Sequence, residues 1–221
     1  MPSDPATWMH GDTWLQAVGL LLLGMSLASW FILLRKTALL LRAQRRVPRA
    51  IAAFWSAASP AEGARAARAA DPDELAGALA EAFERLGAPG GPAWQTRADR
   101  VRRELREALD AAGRRLHSGH VVLASVGSTA PFIGLFGTVW GIYHALQAIA
   151  ATHQMGVDSI AGPVGETLLM TAAGLAVAIP AVLGYNALGK RARALDAQLE
   201  GFALDLQHLL AADTAHAPRS P

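Results

Sequence analysis

Three stretches of the chain contain no Asp, Glu, Lys or Arg: Thr13 to Leu34, Leu116 to Val157, and Thr167 to Gly189. Each exceeds the roughly 20 residues that an α-helix needs to cross the hydrocarbon core of a bilayer. The middle stretch is longer than one crossing, so part of it lies outside the membrane. From Ala93 onward a polar helical pattern runs through RADRVRRELREALDAAGRRLHSGH into that middle stretch without a strong breaker. This predicts a helix that continues from the polar region into span two. After span three, Leu188, Leu195, Leu199, Phe202, Leu206 and Leu209 recur at three-to-four spacing, which extends the helix along an apolar stripe. No stretch alternates as a strand does. The predicted fold is all-α, with three transmembrane helices and long helical extensions.

Local signals divide the polar regions. Pro48 is expected to interrupt the basic helix that leaves span one. Asp71-Pro72-Asp73-Glu74 reads as a helix start, with Asp71 as cap, Pro72 at the first helical position and acids in the first turn. Residues 87–92 (GAPGGP) read as a loop. The expected organisation is an N-terminal segment 1–12, spans at 13–34, 121–150 and 161–189, a helical domain at 35–120, a loop at 151–160, and a C-terminal helix and tail at 190–221.

Composition sharpens the class. Of the 221 residues 52% are hydrophobic and the mean hydropathy is +0.24, rich for a soluble domain of this size. Cysteine is absent, which excludes a disulfide framework and any thiolate metal or redox site. A net charge of +2 gives no argument for nucleic acid. The placement of the charges says more. All 20 basic residues fall in 35–115 or 190–221. Arg35, Lys36, Arg42, Arg45, Arg46 and Arg49 follow span one, and Lys190, Arg191 and Arg193 follow span three. The positive-inside rule then places both flanks in the cytoplasm, with the N-terminus and the loop at 151–160 outside. Residues 1–12 hold Asp4 and Asp12 but no basic residue. The first stretch therefore lacks the basic flank of a signal peptide and reads as a retained span.

Candidate chemistry lies on two helix faces. In span two, Gly127, Pro131, Gly134, Thr138, Gly141 and Ala145 recur at steps of four and three and share one face. Phe132, Phe136, Val139 and Tyr143 share another. In span three, Thr167, Thr171, Gly174, Ala178 and Ala181 form a second small face, and Glu166 stands beside it. Small faces let membrane helices approach closely, and packing alone is one reading. The other is a narrow, weakly polar interior enclosed by several copies, since an ionisable residue near the membrane is costly and usually functional. The helix dipole at the start of span three is the structural alternative for Glu166. His117 and His120 have no acidic or thiol companion in the sequence, and His144 reads as a packed histidine. Pro131 and Pro180 read as kinks within spans. No phosphate loop and no Ser/His/Asp arrangement is present. No metal, cofactor or enzymatic activity is expected.

At these residues the sequence resembles the MotA/TolQ/ExbB family of ion-driven motor proteins. The likeness is densest in LASVGSTAPFIGLFGTVWGI (123–142) and AGPVGETLLMTAAGLAVAIPAVLGYN (161–186), with SLASWFILLRKT (26–37) in span one. Length and the wording of span two lie nearest the ExbB branch, with the TolQ branch next. The resemblance implies an inner-membrane complex in which five such chains surround the membrane helices of ExbD-like partners. Protons pass through its interior, and work reaches outer-membrane transporters through a TonB-like protein. It assigns the pore-lining threonines to Thr138 and Thr171 and the span-three glutamate to Glu166. Each hydroxyl is then expected to offer a hydrogen bond to the partner's carboxylate, with Glu166 tuning the path and the bare faces turned into the ring. A TolQ-type envelope-integrity component and a non-conducting membrane scaffold are the alternatives.

Overall fold

The computed structural model describes residues 13–71, 73, 75–85, 97–152 and 157–216, and all the regular structure among them is helical. Six helices follow in order: α1 (Thr13–Trp55), α2 (Pro60–Ala70), α3 (Ala76–Arg85), α4 (Arg97–His117), α5 (His120–Thr152) and α6 (Val157–His216). Three helical stretches are long and apolar enough to cross a membrane, Thr13–Trp55, Asp99–Gln147 and Val164–Leu209. The all-α expectation with three spans is met.

A seven-residue rhythm orders the two long helices. On α1, Leu22, Ser29, Lys36, Ala43 and Ala50 are buried seven apart, and Leu40, Val47 and Phe54 form a second row. On α6 the first row is Thr167, Gly174, Ala181, Leu188, Leu195 and Phe202, and the second contains Ala178, Ala192, Leu199 and Leu206. Seven residues per two turns is the period of left-handed knobs-into-holes packing. The α6 stripe is small as far as Ala181 and mostly large from Leu188 onward.

The described residues divide into two compact units. The first takes its residues from Met1–Arg35 and Gly119–Ala187. Its surface is apolar: Leu20, Leu27, Phe31, Phe132, Val139, Leu168, Ile179 and Leu183 are all exposed. Its interior is partly polar: Ser29, Thr138 and Thr167 are buried beside Ala130, Ala181, Leu22 and Leu123. This inverts the soluble pattern and suits a lipid surround, where close van der Waals packing takes over from the hydrophobic effect. Trp14 and Trp140 meet at 5.6 Å between ring centroids.

The second unit contains Lys36–Ser118 and Leu188–Pro221 within the described range. It has an ordinary apolar core. Phe54 of α1 stands edge-on to Phe202 of α6 at 5.3 Å and to Phe83 of α3 at 6.1 Å. Leu40, Leu79, Leu105, Leu116, Leu195 and Leu199 are also fully buried in this unit, each worth about 1.5–3 kcal/mol relative to exposure. Gly63 of α2 lies against the Phe54 ring and carbonyl, which a Cβ would meet at 2.9 Å. Glu81 of α3 pairs with Arg68 of α2, and Arg46 of α1 reaches Asp73 at 2.9 Å.

Local expectations differ from the structure in several places. Pro48 does not interrupt its helix: α1 continues to Trp55, because Val47, Ala50 and Phe54 stay buried on the same stripe past it. The span-two helix is not continuous with the polar helix. α4 ends at His117, and the chain turns at Gly119 with φ of +85° before α5 begins. Ser118 Oγ donates to the Arg115 carbonyl at 3.1 Å in that turn. Asp71 does cap, but from further away than expected. Its Oδ2 accepts the backbone N–H groups of Leu75 and Ala76, each at 2.7 Å, and of Gly77 at 3.4 Å. Its own N–H closes the end of α2 on the Ala67 carbonyl at 3.0 Å. One residue thus ends α2 and starts α3. Pro72, Glu74 and the expected loop at 87–92 lie outside the described residues. α5 runs to Thr152 and α6 starts at Val157, so helix occupies most of the 151–160 segment read as a loop.

Candidate functional site

The two small faces meet each other within one chain. α5 and α6 lie antiparallel, and glycine sets their approach. A Cβ on Gly134 would stand 2.5 Å from the Met170 carbonyl oxygen and 3.1 Å from Gly174 Cα. A Cβ on Gly174 would stand 2.6 Å from the Ala130 carbonyl oxygen. Seven residues to either side of Gly134, Gly127 faces Val182 and Gly141 faces Thr167. Backbone therefore touches backbone, and Thr167 and Ala178 are buried along the same line. Pro131 is half-buried inside α5. The bulky residues Phe132, Phe136, Val139 and Tyr143 are exposed, on the opposite side.

This contact brings together the two threonines singled out from the sequence. Thr171 Oγ1 donates to Thr138 Oγ1 at 3.3 Å, and Thr138 Oγ1 donates to the Leu135 carbonyl at 2.7 Å. Thr138 is only 5% exposed, whereas Thr171 is half-buried. Both hydroxyl hydrogens are thus engaged inside the chain. Thr167 follows the same habit, donating to the Val164 carbonyl at 2.8 Å. Back-bonding of this kind satisfies a hydroxyl where no water is at hand. Glu166 is exposed. Five positions from Thr171, it lies about 140° around the helix from it at 100° per residue.

Sequence reasoning missed several contributors. Met170 fills the three-helix junction: its backbone carbonyl faces Gly134, its Cβ would lie 3.1 Å from a Cβ on Gly137, and its Cε lies 3.9 Å from one on Gly19. Ser29 of α1 is 2% exposed with an unpartnered hydroxyl. His120 stacks edge-on against Tyr185, and His144 packs on Trp140 at 4.9 Å. His117 has an acidic companion after all, Asp196, at 2.6 Å. Spacing gave no signal for it, because the two are 79 residues apart. Among the described residues no three His, Cys, Asp or Glu side chains gather as a metal site. A groove of about 420 Å³ between α1 and α5 is lined by Trp14, Val18, Leu21, Thr129, Ile133 and Phe136. Its one hydroxyl, on Thr129, already bonds the Ser125 carbonyl at 2.7 Å, so the groove offers no polar chemistry.

Comparison with known proteins points one way. The profile of the MotA/TolQ/ExbB proton channel family matches residues 73–201. A "Biopolymer transport protein ExbB" of Xanthomonas campestris pv. campestris is 40% identical over 199 residues, covering 86% of this chain and 79% of that one. A protein of the same name from Neisseria gonorrhoeae is 53% identical over 103 residues, 47% of each chain. A "Tol-Pal system protein TolQ" of Pseudomonas aeruginosa is 32% identical over 200 residues, 88% of this chain and 87% of that one.

Proposed function

The chain belongs to the MotA/TolQ/ExbB proton channel family, and from that premise we propose that it is the ExbB-type subunit of a proton-driven motor in the bacterial inner membrane. Copies of the chain, five in this reading, form a ring around the membrane helices of an ExbD-like partner. Proton flow through the ring does work on a TonB-like protein. That work energises outer-membrane uptake of siderophores, vitamin B12 and similar cargo. The N-terminus faces the periplasm and the C-terminus the cytoplasm, as the basic residues at 35–115 and 190–221 favour.

One observation carries the reading: a hydrogen-bonded pair of hydroxyls, Thr138 and Thr171, set in a helix contact whose close approach is made by glycine. Packing alone needs no such pair, since valine would fill the same space without a hydroxyl. Half-buried Thr171 gives the pair an open side, where a water or a partner's carboxyl finds a polar neighbour inside the membrane.

The test is Thr138→Val and Thr171→Val, singly and together, in cells that depend on this system under iron limitation. Complex assembly is followed by co-purification with the ExbD-like partner. Assembled complexes should lose proton-motive-force-dependent uptake, and Thr→Ser variants should retain it. Full uptake in the double valine variant would reject the ion-path role and leave the scaffold reading. The TolQ branch, favoured by the relative at 32% identity, predicts detergent sensitivity and chained cells on deletion, with siderophore uptake intact.

A further inference from the structure

The end of α4 is held in an unusual way. Lys36 is buried, 6% exposed, at a seam position of α1 between Ser29 and Ala43. Its Nζ donates to the Arg115 carbonyl and, at 3.4 Å, to the Leu116 carbonyl. These oxygens belong to the last turn of α4, where helix carbonyls lack intrahelical donors and the dipole favours a cation. One residue on, His117 Nε2 meets Asp196 Oδ2 of α6 at 2.6 Å. A polar contact to α1 and another to α6 therefore fall within three residues of α4.

The apolar seam of α4 specifies its position weakly. Val101, Leu105, Ala112 and Leu116 are buried and Ala108 is half-buried. A shift by one helical turn exchanges apolar residues for apolar residues, with the small Ala108 and Ala112 between the fully buried Leu105 and Leu116. Such seams take their register from polar residues at buried positions, and one-turn shifts of packed helices are a known mode of switching. Burying a lysine is expensive unless its donors are satisfied, so the register that presents the α4 carbonyls to Lys36 is favoured.

We propose that Lys36 and the His117–Asp196 pair form a two-point clasp that sets the lengthwise position of α4 against α1 and α6, and that releasing the clasp lets α4 slip by a turn. Because the chain has no cysteine, cross-linking can read that position directly. His117→Cys is combined in turn with Arg193→Cys, Asp196→Cys and Glu200→Cys, and the assembled complex in membranes is treated with a short thiol-to-thiol linker. With Lys36 present, the Cys pair at 117 and 196 should link at least fivefold more than either neighbour. Adding Lys36→Met should spread the linking, so that the pair with 193 or 200 approaches the pair with 196. Lys36→Arg should keep the original preference. Should Lys36→Met fail to reach the membrane, Lys36→Gln is read in the same way. An unchanged preference for 196 in the Met or Gln variant would overturn the proposal, because packing would then set the register.

Discussion

Gly134 of α5 and Gly174 of α6 stand back to back, each at the place where the other helix's main chain would meet a side chain. The antiparallel crossing of these helices has no room for a methyl group at either position. Gly134→Leu and Gly174→Leu should each prevent the crossing and cut the yield of folded protein in membranes severalfold. Gly134→Ala should cost about 1–3 kcal/mol, the usual range for overpacking, visible as a lower melting temperature in detergent. Gly113 and Gly201 have nothing within 4 Å of an added Cβ. Alanine there should stabilise by about 0.5–1 kcal/mol through helix propensity.

Gly119 predicts a second sensitivity of different origin. Its φ of +85° disfavours any side chain, and a Cβ would meet Ile32 Cγ2 at 2.9 Å. Gly119→Val should therefore lower the melting temperature more than Gly119→Asn, since asparagine tolerates the left-handed region. Adding Ile32→Ala should recover only the part of the loss that comes from the clash. Full recovery would show that the backbone conformation costs little.

Asp71 should resist replacement. Three backbone N–H groups converge on one of its oxygens in a buried setting. Asp71→Ala should cost about 1–3 kcal/mol, the range for leaving buried donors unpaired, and should raise the protease sensitivity of α3. Asp71→Asn retains an acceptor and should cost less. Equal losses for the two variants would argue against the capping role.

Glu166 is exposed at the start of the third span, so its replacement should leave insertion and folding intact. Under the proposed function, Glu166→Ala lowers energised uptake while the stability of the membrane complex stays within about 0.5 kcal/mol of wild type, as for a surface substitution. Unchanged uptake would leave Glu166 as an exposed polar residue outside the path, since α6 begins nine residues earlier at Val157 and the helix dipole acts only within the first turn.

Much of this was legible in the residues. Charge-free stretches marked the three spans, because a bilayer excludes charge over a fixed length. The three-to-four rhythm of Leu195, Leu199, Phe202 and Leu206 marked the buried face of α6. The glycines of α5 announced a close approach, and the structure supplied its object, the facing α6 backbone. Other features were hidden for identifiable reasons. The Ser118-Gly119 break follows the basic last turn Arg114, Arg115 and His117, a usual way to end a helix. The apolar pattern running on beyond it masked the signal. Pro48 misled because a proline removes one hydrogen bond while the stripe around it stays buried. Lys36 counted only as a topological charge, since nothing local reveals a partner 79 residues away.

The hydroxyl chain in the α5–α6 contact has a direction. Thr138 gives its hydrogen to the Leu135 carbonyl and can only receive from Thr171, which gives its own hydrogen inward. The open side of Thr171 is then left with lone pairs, an electron-rich end with no hydrogen to offer. If a carboxyl from the ring's centre docks there, as the proposed function has it, it is welcomed with its proton on and gains nothing once the proton has left. Under the proposed function, two ordinary threonines ordered in this way would let the wall of the path distinguish a protonated carboxyl from an ionised one.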